Sequence, residues 1–99
     1  MDYKNVVDEI ITQSIETFNQ MVEPSQHLKN SEDTIIFGTG STLDSLGFVN
    51  FIVTIESEVD SKLNKTIFIV DEQALEMADN PFRTISSLKN LLGEKLKTN

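Results

Sequence analysis

The residues that could do chemistry are few, and they converge on Leu43-Asp44-Ser45-Leu46. This run stands between a Gly/Thr/Ser-rich stretch and a strongly apolar helical segment. A serine at the mouth of a helix lies among backbone N–H groups that have no intrahelical partner, at the positive end of the helix dipole. An anionic group esterified to its hydroxyl would be well placed there. The plainer role for the same residue is helix capping, which serine often fills.

Other reactive groups form no recognisable set. His27 is the sole histidine and has no paired ligand at metal spacing. Gly38-x-Gly40-Ser41 lacks the lysine of a phosphate-binding loop, so loop flexibility is the better reading. The carboxylates match neither a calcium loop nor an acid/base pair, and one histidine supports no Ser-His-Asp set. Asn64-Lys65-Thr66 is a glycosylation sequon by rule, with no meaning in a cytosolic chain. With no cysteine, disulfides and thiolate chemistry are excluded, and any thiol must come from an attached group. Nothing here points to an enzyme.

The elements that must position Ser45 follow from apolar spacing. Val7, Ile11, Ile15, Phe18 and Val22 predict an amphipathic helix over 3–22, with Asp2 as its cap and Pro24 beyond its end. Residues 23–44 form a long connection pinned by Leu28, Ile35, Ile36, Phe37 and Leu43. Residues 45–60 read as a second helix, apolar over more than half its circumference. Such a helix is either central or meets partners. The β-branched run at 66–70 has no second strand to pair with, so it is expected as an extended segment packed on helices. A short helix is expected over 71–77. A last helix is expected over 82–97, with Ile85, Leu88, Leu91, Leu92 and Leu96 inward. The fold class is therefore all-α, a four-helix bundle in a single domain spanning 1–99.

Composition narrows the partners. Sixteen acidic and eight basic residues give a net charge of −8. That charge disfavours nucleic acid and anionic membrane surfaces, and favours basic protein partners through faster encounter. The apolar runs are too short to cross a bilayer, and the N-terminus lacks the basic start and apolar block of a signal peptide. A cytoplasmic monomer is expected.

Three long helices, a short one before the last, and a long first loop ending in Asp44-Ser45-Leu46 resemble the acyl carrier protein family over nearly the whole chain. Glu56-Ser57-Glu58-Val59 is similar to the family's acidic close of the second helix. Asp71-Glu72 opens the short helix, and Pro81-Phe82-Arg83-Thr84-Ile85 with Leu88 looks like the family's lead-in to its final helix. The resemblance implies the acyl-carrier type of bundle. It implies that a phosphopantetheinyl transferase, using magnesium, moves 4'-phosphopantetheine from coenzyme A to Ser45. The arm would hold acyl or aminoacyl intermediates as thioesters, loaded by a ligase and used by condensing or transferase enzymes. Gly47 and Asn50 stand where carriers of primary fatty acid synthesis typically have acids, which points to a specialised biosynthetic pathway.

The residues around Ser45 carry two readings each. Asp44 caps the helix, contacts the transferase or helps to hold its magnesium, and these roles are compatible. Leu46 is either core or transferase contact. Val49, Val53 and Glu56 lie about one helical turn apart below Ser45. They form either a docking stripe, or core valines with a solvated acid. Two rivals remain at this stage: an unmodified carrier-like interaction subunit, and a small helical regulator whose Asp-Ser-Leu is accidental.

Overall fold

Helix α1 spans Lys4–Met21, α2 spans Ser45–Leu63 and α3 spans Ile85–Thr98. They come from a computed structural model that describes residues 3–71 and 80–98. Among these residues the chain is all-helical, with a 3₁₀ turn at Pro24–Gln26 and no strand beyond an isolated antiparallel bridge between Ile35 and Thr84. The short helix expected over 71–77 falls almost entirely on 72–79, outside the described residues, so three α-helices are seen here rather than four. Asp2, the expected cap of α1, also lies outside them. Tyr3 occupies the cap position and supplies no side-chain cap bond.

The core follows the predicted spacing. Val7, Ile10, Ile11, Ile15 and Phe18 of α1 are buried against Phe51, Ile52, Ile55 and Val59 of α2. Ile85, Leu88, Leu91, Leu92 and Leu96 of α3 close the same cluster. Phe18 and Phe51 meet edge to face at its centre, with ring centroids 5.5 Å apart. Ion pairs tie the surface together. Lys62 reaches Glu9 at 3.8 Å, and the largely buried Lys95 pairs with Asp71.

The long connection is pinned at many points. The Asn19 side chain clamps Leu28 by donating to its carbonyl (2.9 Å) and accepting from its N–H (2.8 Å). Further on, the Ile36 N–H donates to Arg83 O (2.8 Å) and the Ile85 N–H to Thr34 O (3.0 Å). The loop thus supplies acceptors to the start of α3, whose first amides have no partner within the helix. Thr84 and Ser87 complete that end as a reciprocal capping pair. Thr84 Oγ1 accepts from the Ser87 N–H at 3.2 Å, and Ser87 Oγ accepts from the Thr84 N–H at 3.0 Å. Of the expected apolar pins, Leu28 and Ile36 are buried, and Ile35 and Leu43 are half-buried. Phe37 departs from expectation: it is exposed, and stacks at 5.0 Å on Phe48 rather than entering the core.

Lys89 links three elements, at 3.1 Å from Asp8 of α1 and 2.7 Å from Glu32 of the loop. Burial acts to lower its pKa, but the hydrogen bonds and charges of Glu32 and Asp8 outweigh it, and the net shift is upward from 10.5. A base whose folded pKa is raised stabilises the fold fully below its unfolded pKa, and loses that contribution as pH rises through the folded value. Urea midpoints should therefore fall more steeply above pH 10.5 for the wild type than for Lys89→Met. Parallel pH profiles of the two proteins would refute the linkage.

Candidate functional site

Ser45 is the first residue of α2. The preceding loop delivers it through a reversal at Gly38 and Gly40, which have φ of +92° and +94°. Other residues adopt such angles only with strain. Ser41 Oγ then accepts the Leu43 N–H at 3.0 Å, and Thr42 Oγ1 donates to His27 O at 3.4 Å. Asp44 has extended backbone (φ −84°, ψ −177°) and caps the helix. Its Oδ1 accepts the Gly47 N–H at 2.7 Å, and its carbonyl accepts the Phe48 N–H at 2.9 Å. The capping role expected of Asp44 is therefore present. Asp44→Ala should lower stability by about 1 kcal/mol. An unchanged urea midpoint would contradict that.

Because Asp44 does the capping, Ser45 is spared it. The Ser45 side chain is exposed, and its hydroxyl makes no hydrogen bond among the described residues. It stands in the first turn of a helix of 19 residues, where free amides and the dipole favour an anionic substituent.

The neighbours of Ser45 divide cleanly. Leu46, Val49 and Val53 are 69%, 53% and 55% exposed, so none of them is core. Asn50 and Ser57 lie beside them, and a shallow groove continues past Val53 to Met21 of α1 and Val22 just beyond its end. The opposite face carries Phe51, Ile52, Ile55 and Val59. The excess apolar surface of α2 is thus divided: one face is central, as expected, and the other is exposed. Glu56 is neither a freely solvated charge nor simply the end of the stripe. Its Oε2 accepts the Ile69 N–H at 2.9 Å.

Gly47 also acquires a physical account. It is buried, and a Cβ there would stand 2.9 Å from Gln26 Oε1 and 3.2 Å from Asp44 Oδ1. The loop crosses where an acidic side chain would otherwise project. Asn50 is exposed, so its lack of charge is not imposed by packing.

Sequence reasoning missed an aromatic row beside the serine. Phe48 lies between Phe37 and Phe82, at 5.0 and 5.8 Å. Phe48 falls three residues after Ser45, a spacing that makes helix neighbours, and this was the available signal. Arg83 Nη1 lies 3.5 Å from Phe37 O at the outer end of the row.

The remaining candidates stay silent. Among the described residues no group of three or more His, Cys, Asp or Glu is placed to hold a metal ion. No described helix is long and apolar enough to cross a membrane. His27 Nε2 lies 3.3 Å from Val22 O, a structural contact. Comparison of the chain with family models, curated proteins and solved structures found no match.

Proposed function

We propose that this chain is a carrier of the acyl carrier protein type, modified on Ser45 with 4'-phosphopantetheine and acting in a specialised biosynthetic pathway of the cytoplasm. The observation that carries the reading is the exposed Ser45 hydroxyl at the start of α2, which makes no hydrogen bond among the described residues, with its helix already capped by Asp44. A serine acceptor needs access more than activation, because the transferase supplies the chemistry. In the transfer, Ser45 Oγ gives up its proton and bonds to the phosphorus of the phosphopantetheinyl half of coenzyme A, and the adenosine bisphosphate half leaves. The Ser45 and Leu46 amides, which Asp44 does not take, are left to the phosphodiester. When attached, the arm supplies a thiol that carries acyl or aminoacyl cargo as a thioester. Leu46, Val49 and Val53 offer apolar contact to the transferase and to loading, condensing or transferase enzymes, with the Asp44 carboxylate beside the serine and no charge at Gly47 or Asn50. Loss of such a contact is expected to raise the off-rate, whereas a rim charge would mainly set the on-rate. The chain itself performs no catalysis in this reading.

The test is direct. The purified chain, incubated with coenzyme A, magnesium and a broad-specificity phosphopantetheinyl transferase, should gain one phosphopantetheine by intact mass. A second reading, an unmodified interaction subunit, draws on the exposed Leu46, Val49 and Val53, which need no arm to be sticky. A chain that stays unmodified under conditions that convert a control carrier would favour that second reading.

A further inference from the structure

The segment after α2 alternates like a strand but has no strand to pair with among the described residues. Asn64 ends the helix in the left-handed region (φ 53°, ψ 41°), with its N–H on Asp60 O. The chain then runs back with Ile67 and Ile69 buried, while Phe68 is 69% exposed and Val70 is also exposed. A buried backbone amide outside regular structure must find a partner or cost the fold. For Ile69 that partner is not backbone: it is Glu56 Oε2, reached from α2 at 2.9 Å. Two residues later Asp71 pairs with the largely buried Lys95 of α3.

We propose that Glu56 is a positioning residue: its carboxylate, about one helical turn beyond Val53, latches residues 67–70 onto α2 and so fixes where along the helix the outward-facing Phe68 and Val70 stand. The inference goes beyond the carrier reading and does not depend on it. It changes the meaning of Glu56. A docking acid acts through its charge. A latch acts through an acceptor oxygen at the right reach, and the two requirements are separable.

Ile69 is driven inward by its side chain, and alternation alone turns Phe68 and Val70 outward. What alternation does not fix is where the segment lies along α2. Alternation by itself would keep the same face inward after a shift of two residues, whereas the bond from the Ile69 N–H to one carboxylate fits a single position. Glu56 therefore supplies the register that a neighbouring strand would supply in a sheet.

Three variants, read on the unmodified chain by NMR, separate the roles. Glu56→Gln removes the charge and keeps an acceptor oxygen at the same reach. Glu56→Asp keeps the charge and shortens the reach by one methylene. Glu56→Ala removes both. Amide exchange reports local opening residue by residue. Exchange at Ile69 should rise about tenfold or more in Glu56→Ala and Glu56→Asp, and stay within about threefold of wild type in Glu56→Gln. The ring signals of Phe68 should shift in the first two and hold in the third. Exchange in the centre of α1 controls for global destabilisation. If Glu56→Ala does not fold, the Asp and Gln pair still decides. Equal protection of Ile69 in all variants, or protection retained by Asp and lost by Gln, would overturn the latch. Because the readout needs no arm on Ser45, a chain that resists the transferase leaves this result unaffected.

Discussion

Ser45→Ala is expected to abolish phosphopantetheine addition completely while leaving the protein folded. The argument has two halves. The chemical half is that Ser45 presents the exposed hydroxyl at the start of α2, and alanine offers no oxygen to bond to phosphorus. The structural half is that Ser45 makes no side-chain hydrogen bond among the described residues, and that Asp44, not Ser45, takes the Gly47 amide. Alanine is also the best helix former. The urea midpoint should therefore move by less than about 0.5 kcal/mol equivalent, as at other surface positions. Intact mass and far-UV circular dichroism read the two halves separately. A mass gain in Ser45→Ala would place the acceptor on another hydroxyl.

Phe51→Ala is expected to have the largest effect on stability, about 3–5 kcal/mol. Phe51 is fully buried and meets Phe18 edge to face at 5.5 Å. Truncation loses transfer energy, leaves a cavity between α1 and α2, and removes an aromatic pair worth about 1 kcal/mol beyond area. A chain of this size has roughly 5–15 kcal/mol to lose, so the variant stands near the edge of folding. Phe37→Ala is the control. That ring is exposed on the Phe48 side of the loop, and its loss should cost far less. Comparable urea midpoints for the two variants would mean that the core is not centred where α1 crosses α2.

Helix positions were legible because their burial is periodic. Val7, Ile11, Ile15 and Phe18 mark the inner face of α1, and the predicted 3–22 became Lys4–Met21. Ends were less legible because they are set by single contacts. Helix α2 runs past the expected residue 60 to Leu63, since Asp60, Ser61 and Lys62 interrupt the apolar pattern and the helix stops only where Asn64 takes the left-handed conformation. The last helix starts at Ile85 rather than 82. Asn80 Oδ1 holds the Phe82 N–H at 2.9 Å in a turn, and Thr84 with Ser87 forms the cap. A Thr three residues before a Ser is a weaker written signal than the Ser/Thr–Glu form of the capping box. At the site, Ser45 and its cap were legible from Asp-Ser-Leu at a loop-to-helix boundary. The side of α2 to which Val49 and Val53 belong was not, because the helix is apolar on both faces and only the packed partner distinguishes them. The bond from the Ile69 amide to Glu56 was also out of reach. It joins a side chain to a backbone amide 13 positions away, and no spacing rule describes that.

The bonds between the long loop and the start of α3 have a consequence for the order of assembly. Ile36 and Arg83, and Thr34 and Ile85, are about fifty positions apart in the chain. Their closure costs loop entropy that the packing of α1 on α2 cannot repay alone. The segment that delivers Ser45 therefore acquires part of its backbone anchorage only once the C-terminal helix has docked. A ribosome-bound chain still lacking α3 would display the serine on a loop missing those bonds. Docking of α3, rather than formation of α2, is then the event that sets Ser45 in its final place.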